Sequence, residues 1–287
     1  MPKMELKAGT IEYSDSGGSG ETIVFLHGVV MNGTHWGKVV SQLEGDFRCV
    51  VPVLPLGAHR EPMDEDADLS LQAIARLAGE FIEKLDLRDV TLVANDWGGA
   101  QVMVYEGCAD RVSRLVLSSC ESFDNFPPGL PGKLLGLSAK LPGGLTMGFA
   151  GLRVRPMRRL PLMFGWMTKR KVPAEVMDTW FEPMQKQRAI RRDFRKYANT
   201  LPSKAQLLEI AEGVRGFDRP ALVIWAKEDK LMPPEHAHRL VEMLPDARLV
   251  EVEDSYTLIP QDQPELMAKL LREFISERRE APSPATP

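Results

Sequence analysis

Cysteine is scarce in this chain, with three residues, Cys49, Cys108 and Cys120, among 287. So small and odd a number excludes a disulfide scaffold and points to a reduced, cytoplasmic setting. No apolar run approaches the ~20 residues that cross a bilayer. The first residues, Met1-Pro2-Lys3-Met4-Glu5-Leu6-Lys7, lack the apolar stretch of a secretory signal. Neither sign of charge dominates: 36 Lys and Arg stand against 40 Asp and Glu, a net charge of −4. That balance gives no whole-protein attraction to nucleic acid or to an acidic membrane, and neither is expected as a partner. What is present is ordinary for a globular protein, 44% apolar and 26% charged residues, enough to fill a large core.

Short β-branched runs alternate with longer runs of helical period, the pattern of a mostly parallel sheet with helices on both faces. Glu5 to Asp15 reads as an antiparallel edge strand, closed by the turn signal Ser16-Gly17-Gly18-Ser19-Gly20. Further strands are expected at Thr22 to Leu26, Phe47 to Val53, Val90 to Ala94, Val112 to Ser118, Ala221 to Trp225 and Arg248 to Val252. Helices are expected at His35 to Leu43, Leu69 to Leu85 (capped by Asp68 or Ser70), Gly98 to Cys108, Pro234 to Leu244 and Gln263 to Glu277. From Phe123 to about Gly216 no strand pattern is found, only helical stretches rich in Pro, Gly, Met and Arg. The expected organisation is an α/β core over 1–122 and 217–280, a helical cap over 123–216, and a frayed tail over 281–287.

The run Val93-Ala94-Asn95-Asp96-Trp97-Gly98-Gly99 lies where an apolar strand meets a helix, with small residues two before and two after Asp96. This is the spacing of a nucleophile elbow, a turn too tight for bulky flanks that lifts its central side chain above the sheet. The usual serine is replaced by Asp96. A helix-capping aspartate is the plainer alternative. Two other elements accompany it. His27-Gly28 closes an earlier strand, so the backbone near Val29 is placed to donate to a developing oxyanion, with His27 itself structural. Asp229 follows the apolar strand ending at Trp225 and lies 133 residues after Asp96, in the order expected of a triad acid.

With these elements the chain resembles the α/β-hydrolase superfamily, and within it the aspartate-nucleophile branch of haloalkane dehalogenases and epoxide hydrolases. The resemblance covers nearly the whole chain, with 123–216 in the place of the cap. It implies an α/β-hydrolase fold and a small apolar substrate attacked by Asp96, with Trp97 and the backbone at Gly28 and Val29 binding oxyanion or leaving group. Glu121, after the next strand, is a second candidate for the acid beside Asp229. Trp166, Trp180 and Tyr197 are candidates to touch substrate from the insertion, the two tryptophans otherwise serving as packing. No cofactor or metal is expected.

One departure matters most. Aligning the run Glu253 to Pro264 on the family's pattern puts Thr257 where the catalytic histidine belongs. A threonine hydroxyl is no general base near neutral pH and cannot activate water against an alkyl-enzyme ester. His35, His59, His236 and His238 read as ordinary surface residues, with His236 alone near enough to Asp229 in sequence to be considered as a substitute. The epoxide-binding tyrosine pair is incomplete, since the insertion holds Tyr197 only, and Val29 stands where many dehalogenases have a halide-binding Asn, with Asn32 three residues on. Two readings therefore compete with impaired hydrolysis: a binding protein on a hydrolase fold, and a non-hydrolytic lyase. Cys120 reads as a small buried hydrophobe. The insertion is basic, with 13 Lys or Arg against 4 Asp or Glu from Gly151 to Thr200, most simply a solvated face. Met147, Met157, Met163, Met167, Met177 and Met184 suggest an adaptable apolar lining or plain core packing.

Overall fold

Strand alternation decides the architecture. Along Thr22–Leu26 (β3), Val24 and Leu26 face one side of the sheet while Ile23 and Phe25 face the other, and Val90–Asp96 (β5), Val112–Cys120 (β6) and Ala221–Ala226 (β7) divide their side chains in the same way. Strands apolar on both faces must be covered on both, which is why helices flank the sheet. The computed structural model describes residues 1–277, so the tail expected at 281–287 lies outside the described residues. Eight strands pair in the order β1-β2-β4-β3-β5-β6-β7-β8. From Arg48–Pro52 (β4) through Ala247–Val252 (β8) neighbours run parallel, while Lys3–Leu6 (β1) and Gly9–Asp15 (β2) add an antiparallel edge.

The expected single edge strand from Glu5 to Asp15 is therefore a hairpin. Lys7 and Ala8 turn the chain, and Gly9, at φ +126°, restarts it opposite Leu6. The apolar positions change parity at the turn, from Met4, Leu6 and Ala8 to Ile11 and Tyr13, and that one-residue step is its only mark on the pattern.

Gly37–Leu43 (α1), preceded by a 3₁₀ turn over Gly33–Trp36, and Pro264–Glu277 (α11) cover one face through Val39, Leu43, Leu271 and Phe274. Leu71–Lys84 (α2) and Gly99–Tyr105 (α3) cover the other. In α2 the buried residues Ile74, Ala75, Ala78, Phe81 and Ile82 form one stripe, and Ser70 caps the helix by accepting the Ala73 N–H. Between β6 and β7 come Gly129–Lys140 (α4), Gly144–Gly151 (α5), Ala174–Lys186 (α6), Arg188–Asn199 (α7) and Lys204–Gly213 (α8), the last opened by a Ser203/Gln206 capping box. α8 packs on α3 of the sheet layer, while α4 to α7 lie over the strand ends. Pro234–Met243 (α9) and the single turn Ile259–Asp262 (α10) complete the fold.

Two buried carboxylates tie the insertion to the rest. Asp262 accepts the Thr168 hydroxyl at 2.6 Å and the Lys169, Arg170 and Tyr256 N–H groups at 2.9, 2.8 and 3.1 Å. Asp193 on α7 accepts the Met63 N–H at 2.9 Å and meets His59 at 3.3 Å. Removing such a carboxylate strands several buried donors. Asp262→Ala is expected to lower unfolding stability by about 3 kcal/mol, and Asp262→Asn by less, read as a shift of the urea midpoint.

Candidate active site

The end of β5 is strained where the chemistry would be. Asp96 has φ +66°, the left-handed region that side chains other than glycine rarely adopt. The crowding around it explains two glycines. A Cβ on Gly28 would fall 2.2 Å from Asp96 Oδ2, and one on Gly98 would fall 2.3 Å from the Glu121 carbonyl. Both loops approach the elbow too closely for any side chain. Asp96 Oδ2 accepts the Val29 N–H at 3.0 Å, so the backbone after His27-Gly28 does meet this carboxyl.

Above Asp96 lies a cavity of about 340 Å³. Its walls are almost all apolar, with Leu135, Phe149, Met163, Met167 and Phe194 prominent, and its polar lining includes Asp96, Glu121 and Tyr197. Among the described residues no Lys, Arg or His lines it. Burial in these surroundings raises the Asp96 pKa to about 7; the Val29 hydrogen bond opposes this, and the charge of Asp229 adds to it. Glu121, 3% exposed and with Oε2 unpartnered, is raised well above the usual carboxyl range by burial and then by the charge of Asp96. The Tyr197 phenol is likewise raised, by burial first and then by Glu121. The indole N–H of Trp97 is buried and makes no well-formed hydrogen bond, though it is near enough to the Tyr197 oxygen to favour that phenol's ionised form. Asp96 is thereby poised near neutrality, and Glu121 is shifted in the same direction.

Thr257 sits beside the acid expected from the sequence. Its hydroxyl donates to Asp229 Oδ1 at 2.7 Å, and the same oxygen accepts the Leu231 and Met232 N–H groups at 2.9 Å each. Burial raises the Asp229 pKa despite these bonds. Glu121, by contrast, faces the cavity beside Asp96 and makes no hydrogen bond with Thr257 among the described residues.

No histidine among the described residues bonds to Asp96. The expectation of surface histidines fails for three of the four: His35, His59 and His236 are buried, at 0%, 2% and 9% exposure, and His238 alone is exposed. His35 donates from Nε2 to Asn95 at 2.9 Å, and burial holds its pKa down to about 3. His236 packs edge-on against Phe123, a ring-centroid distance of 4.9 Å, and does not substitute for the missing base. His27 is structural, as expected. Its Nδ1 donates to Gly28 O, its Nε2 accepts the Leu54 N–H, and burial lowers its pKa to about 4.

Other candidates are placed away from the cavity. The Trp180 N–H donates to Thr34 Oγ1 at 2.8 Å, so that indole is used in docking α6. Trp166 is half-buried and does not line the cavity. Asn32 caps the 3₁₀ turn through Thr34 and donates to the Thr179 carbonyl. Of the six methionines, Met163 and Met167 line the cavity, while Met147 is 78% exposed. All three cysteines are free, and Cys120 is fully buried with its thiol pushed up to about 12 by burial.

Sequence reasoning missed Asn95. It donates to the Ser118 and Thr257 carbonyls at 2.8 Å each and accepts from His35, fixing the Thr257 loop behind the elbow. A lone amide in an otherwise apolar central strand was the available signal. Among the described residues no cluster of three or more His, Cys, Asp or Glu could hold a metal ion.

A carboxyl whose folded pKa is raised stabilises the fold relatively at low pH, and that contribution disappears as pH rises through about 7. Asp96→Asn should therefore stabilise the protein more at pH 8 than at pH 5, by a difference on the order of 2–3 kcal/mol. Urea unfolding of both proteins at the two pH values measures this; an equal effect at both would contradict the desolvated carboxylate.

Comparison with known proteins follows the same lines. Over an alignment of 297 residues, covering 95% of each chain, the protein is 27% identical to a cis-3-alkyl-4-alkyloxetan-2-one decarboxylase of Xanthomonas campestris. It is 27% identical over 274 residues to haloalkane dehalogenase 2 of Mycobacterium tuberculosis, covering 92% of this chain and 91% of the other. Among solved structures, a haloalkane dehalogenase from Bradyrhizobium elkani superposes with a TM-score of 0.76 at 18% identity, over 97% of this chain and 98% of that one. The model of the alpha/beta hydrolase family matches residues 23–270, and with the eight-stranded sheet described above the chain belongs to that family.

Proposed function

We propose that Asp96 is the nucleophile of an enzyme acting on a small apolar electrophile, and that its covalent ester is cleared by elimination rather than by hydrolysis. The observation that carries this reading is a desolvated carboxylate facing an apolar cavity with no imidazole bonded to it. Stripped of water, the ionised form of Asp96 is a stronger nucleophile than an exposed carboxylate. Oδ2 rests on the Val29 N–H, which leaves Oδ1 to attack.

Water activation lacks its usual agent. Thr257 occupies the place of the base and donates its proton to Asp229. Attack on an alkyl halide would therefore stop at the ester. Attack on a dialkyl β-lactone need not. Asp96 Oδ1 bonds to the ring carbon C4 as the C4–O bond breaks, leaving an ester and a free carboxylate on C3. Loss of CO2 then delivers its bonding pair to a C3–C4 double bond as the Asp96–C4 bond breaks and the carboxylate returns. Lactone becomes alkene and CO2 with no water, oxidant or external base. The β-lactone decarboxylase relative, aligned over nearly both chains, favours this class of substrate. Glu121 lines the cavity with Asp96 and is shifted by burial toward its neutral form, which would donate a hydrogen bond to the opening ring oxygen.

Incubation with 1-bromohexane should add one hexyl group to Asp96, seen by peptide mass spectrometry, without sustained halide release. A cis-3,4-dialkyl β-lactone should give alkene and CO2 over many turnovers, and Asp96→Asn should abolish both reactions. An unmodified Asp96 would remove the nucleophile, and sustained halide release would mean that a water activator exists. Because the carboxylate must be ionised, the alkylation rate should rise about tenfold per pH unit below pH 7 and level off above it. Thr257→His should place an imidazole against Asp229 and convert the stalled hexyl ester into multiple turnovers.

A further inference from the structure

The exposed apolar surface of this protein is concentrated in one place. Apart from Met1 and Tyr105, every large apolar side chain that is markedly exposed among the described residues lies between Leu130 and Leu162. Leu130, Leu134, Leu137 and Leu141 recur at helical spacing along α4 and its end, at 52%, 42%, 52% and 52% exposure, and Met147 on α5 reaches 78%. An apolar stripe of this size on an otherwise soluble surface marks a docking face.

Its charge says what it docks on. From Asn125 to Ala174 there is no Asp or Glu at all, against nine Lys or Arg. Lys133 and Lys140 flank the leucine stripe one helical step away, and with Arg153 and Lys171 they form no ion pair among the described residues. Leucines rimmed by unpaired cations suit an anionic lipid surface, where acyl chains receive the former and headgroups the latter. The net charge of −4 averages this segment away and makes a membrane partner look unlikely, whereas the local sign decides the encounter. None of the described helices is long and apolar enough to cross a bilayer, so the mode is lying on the surface.

The cavity opens on the same face. Leu134 and Leu162 are both exposed and part of the cavity lining, so they join the outer stripe to the chamber above Asp96. We propose that α4, α5 and the turns through Leu162 dock on an anionic lipid surface, so that apolar substrate passes from the acyl phase into the cavity without crossing water. Its link to catalysis rests on the reading of Asp96 above, but docking itself does not.

Co-sedimentation with phosphatidylcholine vesicles, with and without phosphatidylglycerol, tests it. The protein should pellet with the mixed vesicles at low salt, far less with pure phosphatidylcholine, and not at high salt. Leu130→Asp with Leu137→Asp should weaken binding roughly tenfold or more, and Lys133→Gln with Lys140→Gln by about fivefold per lysine. None of these four residues lines the cavity. Alkylation of Asp96 by soluble 1-bromohexane should therefore be unchanged in the variants, and circular dichroism confirms their fold independently of that reaction. Failure to pellet with either vesicle, or variants that pellet like wild type, overturns the proposal. So does a vesicle-independent dimer dispersed by the aspartates, or capture by polyglutamate in place of vesicles.

Discussion

Desolvation of one carboxyl group is the constraint around which the rest is arranged. Asp96 is held on a left-handed residue at a strand end, with Gly28 and Gly98 kept bare so that two loops can close on it. Burial is what makes its ionisation unfavourable. The Val29 N–H relieves this only in part. Asp229, Glu121 and the Tyr197 phenol are all acids, and no cation among the described residues lines the cavity.

The loop that carries Thr257 owes little of its shape to that side chain. Asp229 is held by two backbone N–H groups whether or not a side chain at 257 contributes, and Asn95 grips the Thr257 carbonyl rather than its side chain. The loop is thus shaped by main-chain bonds that do not depend on an imidazole.

Legibility from sequence followed the physics of each signal. The central strands and the elbow were legible because apolar runs and small flanking residues are local requirements. The edge hairpin was not, since Lys7-Ala8 turns without Pro, Asn or Asp and only a one-residue step in the alternation at Gly9 marks it. His35 and His59 were misplaced because a lone histidine carries no periodic mark of burial; their partners, Asn95 and Asp193, lie 60 and 134 residues away. Trp180 looked like a ligand donor and instead fastens α6 to Thr34, a contact only the tertiary structure brings about. Asp262 was invisible for the same reason, its donors coming from Thr168 to Arg170 and from Tyr256.

The anchoring of the insertion is also lopsided. Asp262 clamps the stretch at Thr168 to Arg170 and Asp193 clamps α7, both through buried charge. With no acid of their own, α4 and α5 are held instead by apolar packing and by bonds to backbone carbonyls, such as Arg195 to Ala139 and Gln185 to Phe149. Carboxylate clamps thus mark one margin of the insertion and are absent from the other, like a door latched on one side only.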